Sequence, residues 1–280
     1  MTKGAKQLDK LLVVKVGTST MFKQEDGREV LDRETIGNIG HQVNRLRKIG
    51  YKVPIVSSGA VTAGMEATGT SVRPSGDEAM PEIQRLAAIG WTTIVGAWGE
   101  ATGAITGGIL LTRRELDLEV PEHDEALRTT YTLLSHGDIP IINENDAITH
   151  GELAKESFGQ NDTLSAIYAA QFATSTTGLF GKNVGLVMLS NVDGLYADMS
   201  DSGSVIREIG ASDIDIYAHL AGGTNGNRGK GGMKTKFDAA HIVTDAGVEM
   251  WIANGRTDDS IQLALDGVIG THFAAEHASA

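Results

Sequence analysis

The chain has 280 residues, of which 41% are hydrophobic and 21% charged, a globular composition that allows one large domain or two small ones. Its formal net charge of −12 argues against nucleic acid or an anionic membrane as the main partner. It has no cysteine, which excludes disulfides and a cysteine nucleophile; its eight histidines form no H-E-x-x-H or H-x-x-H cluster, so no zinc site is predicted.

Leu11–Val16 (LLVVKV) is a short Val-rich apolar run followed by Gly17, the pattern of a buried strand. Asp32 can cap a following helix, in which Ile36, Ile39, Val43, Leu46 and Ile49 recur at helical spacing before Gly50 stops it. Tyr51–Val56 (YKVPIV) predicts a second strand, ending in Ser57-Ser58-Gly59-Ala60 and completing a β-α-β unit. The alternation continues: strand at Gly108–Leu111, helix at Glu125–Leu134, strand at Ile139–Ile142, helix at Thr163–Phe172. Strand Val184–Leu189, helix Lys234–Ala246 and strand Val248–Ala253 follow. Residues 69–82 and 197–229 predict long loops. The expected fold is α/β, a three-layer α/β/α sandwich on an open, mostly parallel sheet. One domain over residues 8–277 is expected, with two lobes meeting near residue 180 and no extra C-terminal domain.

In open α/β sheets, ligands gather at the carboxyl ends of the strands. Here those ends carry Gly17-Thr18-Ser19, Ser57-Ser58-Gly59-Ala60, Asn143 to Asp146, and Ser190-Asn191. Lys15 lies inside an apolar strand, where an ammonium must find a counter-charge or lose its proton. It reads either as an internal ion pair or as a phosphate-binding cation beside Gly17. Gly222–Lys236 (GGTNGNRGKGGMKTK) joins many glycines to Arg228, Lys230, Lys234 and Lys236 just before a helix. Such backbone can cradle an anion, although no Walker A spacing fits. Asn143-Glu144-Asn145-Asp146 and Gln160-Asn161-Asp162 offer carboxylates and amides that could hold an amino acid's ammonium and carboxylate. Asp162 could in addition cap the next helix. The acids match a hard-cation site only loosely, and no residue is assigned as a metal ligand.

Seven segments carry a family resemblance in order: VVKVGTST (13–20), VSSGAVTAG (56–64), ILLTR (109–113), IPIINENDAI (139–148), FGQNDTLSA (158–166), LSNVDGLY (189–196) and GKGGMKTKFDAA (229–240). The sequence resembles the glutamate 5-kinase branch of the amino acid kinase superfamily. That resemblance implies transfer of phosphate from ATP to the side-chain carboxylate of L-glutamate, giving L-glutamyl 5-phosphate for proline synthesis. By motif position it implies Lys15 and Lys236 at the transferring phosphoryl group, with Asp162 holding both. Ser58, Gly59, Ala60, Asp146 and Asn161 would bind glutamate. Lys15, Gly17, Ser190, Asn191 and the stretch Lys230, Gly231, Gly232, Met233, Lys234, Thr235, Lys236 would line the nucleotide site.

The family also implies Mg²⁺, homo-oligomers, frequent proline inhibition and a functional link to glutamate-5-semialdehyde dehydrogenase. Three positions depart from its pattern: Gln160 and Asn191 stand where Asp is usual, and Lys230 where Thr is usual. An altered acceptor or a non-catalytic amino-acid sensor on the same fold are the alternatives. No run approaches a membrane span and the opening MTKGAKQLDK has no apolar core, so a cytoplasmic protein is expected.

Chemistry agrees with the resemblance. A side-chain carboxylate, with an ordinary pKa of about 4.3, is ionised at neutral pH and needs no general base. In-line positioning and cations for the phosphoryl oxygens are what a protein must add.

Overall fold

The computed structural model describes residues 10–117, 120–149, 161–174, 183–221 and 232–275. Strand β1 (Lys10–Val16) is buried from Leu11 to Val16, as a central parallel strand must be. A short helix α1 (Thr18–Met21) and the hairpin β2 (Phe22–Glu25) and β3 (Arg28–Leu31) lead to α2 (Arg33–Lys48). Asp32 caps α2 as expected, its Oδ1 accepting from the Thr35 N–H at 3.3 Å. Ile36, Ile39, Val43 and Leu46 are buried. Ile49 differs from expectation: it lies past the helix end and is 67% exposed, and Gly50 then turns the chain at φ +97°.

The next predicted strand splits into β4 (Tyr51–Lys52) and β5 (Ile55–Ser57). Pro54, which has no N–H, sits at the break and instead accepts from the Val14 N–H at 3.0 Å. Then come α3 (Ala60–Thr68), α4 (Met80–Thr102), β6 (Thr106–Leu111), α5 (Pro121–His136), β7 (Ile139–Glu144), α6 (Asn161–Thr174) and β8 (Val184–Ser190). Past β8 lie β9 (Leu195–Tyr196), β10 (Val205–Ile206), β11 (Glu208–Gly210), α7 (Ile214–Tyr217), α8 (Met233–Asp245), β12 (Glu249–Asn254), α9 (Ser260–Leu265) and β13 (Thr271–Ala274).

Two expectations for loops need correction. The stretch expected to be open over 69–82 already enters α4 at Met80, with Pro81 in its first turn. The stretch 197–229 contains β10, β11 and α7 in its described part.

Among the described residues nine strands form one sheet in the order β11-β13-β12-β8-β1-β5-β7-β6, with β4 also paired to β1. Every pairing in it is parallel except β12 with β13. One face packs against α5, α6 and α8 through Leu127, Leu134, Leu164, Phe172 and Phe237. The other packs against α2, α4 and α9 through Ile39, Val43, Ile94, Trp98 and Ile261. This is the expected α/β/α sandwich.

Close approach of α3 to α4 rests on glycine. A Cβ added at Gly64 would stand 2.0 Å from the Leu86 carbonyl oxygen, and one at Gly90 1.9 Å from that of Ala60. That contact fixes the start of α3 at the carboxyl edge of the sheet. Among the described residues, no helix is long and apolar enough to cross a membrane.

Candidate active site

A cleft of about 500 Å³ opens at the carboxyl ends of β8, β1, β5 and β7. Its floor begins in the alternation of β1. Leu11 and Val13 face the layer of α6 and α8, while Leu12, Val14 and Val16 face the opposite layer. Lys15 shares the parity of Leu11 and Val13, so it emerges at the strand end toward α6 and α8 and stays only 8% exposed.

Both helices begin there. Asp162 lies in the first turn of α6 and Lys236 in the first turn of α8. Lys15 Nζ lies 2.5 Å from Asp162 Oδ1, and Lys236 Nζ 3.3 Å from Asp162 Oδ2. Thr235 Oγ1 also donates to Asp162 Oδ2 at 2.8 Å. The additional capping role is not what the carboxylate does: Asp162 sits within the first turn of α6, and its carboxylate faces the two lysines and Thr235. Burial pushes the Asp162 carboxyl up, but the charges of Lys15 and Lys236 and the hydrogen bonds outweigh it and hold the pKa at about 2. Burial lowers the Lys236 pKa, opposed by Asp162. One carboxylate thus holds two buried ammonium groups, one on each of its oxygens. Unopposed, they would repel.

The wall beyond β5 is built from amides and hydroxyls. Asn161 Nδ2 donates to Ser58 Oγ (2.8 Å) and Asn143 Oδ1 (2.7 Å), and Asn143 Nδ2 donates to Asp146 Oδ2 (3.3 Å). This chain ties the ends of β5 and β7 to the start of α6. Burial first, and the neighbouring Glu144 charge second, raise the Asp146 pKa to about 6. Gly59 must be glycine, since it turns into α3 at φ +100° and a Cβ would stand 2.6 Å from the Phe22 ring. Gly17 donates its own N–H to the Leu189 carbonyl (3.2 Å), so what it offers the cleft is the absence of a side chain beside Lys15.

Of the residues expected at the site, Lys15, Gly17, Ser58, Gly59, Ala60, Asp146, Asn161, Asp162, Ser190, Asn191, Gly232 and Lys236 line this cleft. Thr235 reaches it through Asp162. Met233 packs against the hydrophobic core and Lys234 is exposed, and neither lines the cleft. Gln160, Lys230 and Gly231 lie outside the described residues. Sequence reasoning passed over Thr62 and Arg73, and gave Glu144 no role of its own, although all three line the cleft. A signal for Arg73 was available: it is the only basic residue between Lys52 and Arg85.

Comparison with known proteins agrees with this architecture. The amino acid kinase family profile matches residues 10–254. The chain is 34% identical to the glutamate 5-kinase of Nitrosomonas eutropha over 283 residues, covering 99% of this chain and 70% of that protein. It is 34% identical to the glutamate 5-kinase of Lactiplantibacillus plantarum over 270 residues, covering 94% and 96%. Giardia carbamate kinase superposes with a TM-score of 0.62 at 17% identity, over 96% of this chain and 100% of that one. N-acetylglutamate synthase from Neisseria gonorrhoeae gives 0.59 at 16% identity, over 96% and 62%. The sheet, its carboxyl-edge cleft and these matches together place the chain in the amino acid kinase family, among its glutamate 5-kinases.

Proposed function

We propose that this chain transfers the terminal phosphoryl group of ATP to the side-chain carboxylate of L-glutamate, the step that opens proline biosynthesis. The observation that carries the reading is the buried Lys15–Asp162–Lys236 cluster facing a cleft of about 500 Å³ at the carboxyl edge of the sheet. The nucleophile arrives ionised, so proton abstraction is not required. Lys15 and Lys236 stabilise charge on the phosphoryl oxygens in flight, and Asp162 keeps both lysines placed.

The sheet order supports a division of the cleft into two sides. Ser190 and Asn191, at the end of β8, and Gly232, before α8, take the nucleotide. Ser58, Gly59 and Ala60 after β5, with Asp146 and Asn161, take glutamate. Residues before about 180 then form the substrate lobe and the remainder the nucleotide lobe of one domain.

Among the described residues no three His, Cys, Asp or Glu side chains gather to hold a metal. That donor set fits a Mg²⁺ ion carried in on the nucleotide's phosphates, with Glu144 or Asp146 near at most. Glu144 and Asp146 are the carboxylates that would be available to such an ion, which would supply neutralisation of part of the phosphate charge. We place the reaction in the cytoplasm and the protein in a homo-oligomer. Its labile acyl phosphate requires a reductase such as glutamate-5-semialdehyde dehydrogenase to consume it.

The test is ATP turnover with Mg²⁺ and each of glutamate, aspartate and N-acetylglutamate, trapping the acyl phosphate with hydroxylamine. Hydroxamate formed mainly with glutamate is the expected result. Preference for another acceptor would change the substrate and keep the chemistry. No hydroxamate with any of them would refute the proposal.

A further inference from the structure

We propose that Arg73 anchors the α-carboxylate of the acceptor and so selects amino acids whose α-carboxyl group is free. The inference rests on the glutamate kinase reading above. Glutamate brings three charges into the cleft: the reacting side-chain carboxylate, the ammonium and the α-carboxylate. Among the described residues the cleft is lined by three cations, Lys15, Lys236 and Arg73. Two of them share the Asp162 carboxylate at the phosphoryl end. Arg73 is the third, and it lies on the β5–β7 side with Thr62, Glu144 and Asp146.

Its guanidinium makes one long hydrogen bond to Thr62 Oγ1, at 3.4 Å, in the first turns of α3. Among the described residues it makes no ion pair, and it is exposed and lines the cleft. Its field reaches Asp146, where it opposes the effect of burial on that carboxyl. A cation and an anion facing one space are what a zwitterionic α-carbon requires: Asp146 for the ammonium, Arg73 for the carboxylate. A guanidinium is suited to this, because its planar fork pairs with both carboxylate oxygens at once.

The experiment compares L-glutamate with its α-amide, which keeps the ammonium and the side-chain carboxylate and loses only the α-charge. The wild-type protein is expected to favour glutamate. In Arg73→Gln, KM for glutamate rises about ten- to a hundred-fold, the worth of one charged hydrogen-bonding pair, while kcat falls much less. KM for the α-amide moves little, so the preference collapses. Arg73→Lys, which keeps the charge but not the fork, recovers part of it. Equal loss toward both acceptors, or an unchanged KM for glutamate, would overturn the assignment of Arg73 alone. A folded wild-type protein inert toward glutamate would overturn the kinase reading and this assignment with it. The KM for ATP separates the two cases further, since it is expected to hold steady in both variants.

Discussion

Among the described residues two clefts are rich in cations, and they differ in a way that supports the smaller as the proposed site. The larger, about 590 Å³, lies at the opposite edge of the sheet between the ends of α2 and α5. Arg45, Arg47, Lys48, Lys52 and His41 line it. Three of these five basic residues have local partners. Lys52 Nζ donates to the Leu134 carbonyl at 3.0 Å, Arg47 donates to the Gly137 carbonyl, and Arg45 pairs with Asp259. Two of these satisfy carbonyls at the end of a helix, where cations are favoured anyway. In the smaller cleft two lysines are withdrawn from water and held by a single carboxylate. Burying charge in that way is costly, and nothing in the fold of the strands or helices demands it. Volume and cation count do not mark a site. Buried charges brought together from residues 15, 162 and 236 do.

The comparison breaks most sharply at Asp162. Asp162→Asn leaves two buried ammonium groups without a counter-charge. Stability should fall by about 3–5 kcal/mol in urea titrations. At pH 7 the turnover number should drop by about 10²-fold or more in protein that remains folded. Lys236→Met removes one cation from the phosphoryl end and leaves Lys15 paired with Asp162. A similar loss of about 10²-fold in kcat is expected, with melting behaviour close to wild type.

A third substitution separates scaffold from chemistry. Gly90→Ala forces a Cβ into the Ala60 carbonyl oxygen, so overpacking should cost about 1–3 kcal/mol in denaturant melts. Residual folded protein should still turn over substrate but with a raised KM for glutamate, because Lys15, Asp162 and Lys236 lie outside the α3–α4 contact while Ala60 lies in it.

The two carboxylates also predict opposite pH behaviour. Asp162, held at about 2 in the fold, contributes stability that is complete above its unfolded value of 3.8 and lost as pH falls toward 2. Asp146, raised to about 6, stays protonated in the fold over a range where the unfolded chain has released that proton. Its contribution to stability therefore declines as pH rises from about 4 to 6 and is level above that. An ammonium-binding Asp146 must be ionised, so kcat/KM for glutamate should fall as pH drops below about 6. Asp146→Asn should abolish that limb while lowering affinity, as a pH series would show.

The smallest effect belongs to the other cleft. Arg45→Ala loses an exposed ion pair, so stability should shift by less than about 1 kcal/mol and kcat hardly at all.

The parallel strands were legible because strands buried on both faces read as unbroken apolar runs, as in LLVVKV and IPII. Lys15 stood out for the same reason: a charge interrupts such a run. Helices α3 and α4 were not legible. Their contact depends on small residues such as Ala60, Gly64 and Gly90, which give no strong apolar stripe at helical spacing and resemble turn chemistry. Asp162 was readable in two ways because a first-turn Asp serves both a helix end and an ion pair, and only the fold brings Lys15 and Lys236 to it. Arg73 was hidden by its surroundings. It sits in GTSVRPSG, a loop sequence, where its being the sole basic residue between Lys52 and Arg85 was the one signal, and its place in the cleft with Asp146 comes from the fold.

The most direct test measures glutamate-dependent hydroxamate formation by wild-type protein and Asp162→Asn side by side, with ATP and Mg²⁺ at pH 7. Robust product from the wild type and a loss of about 10²-fold or more in the folded variant is the predicted result. Equal rates from the two proteins would contradict the account, because the carboxylate joining the two buried lysines would then have no part in the chemistry.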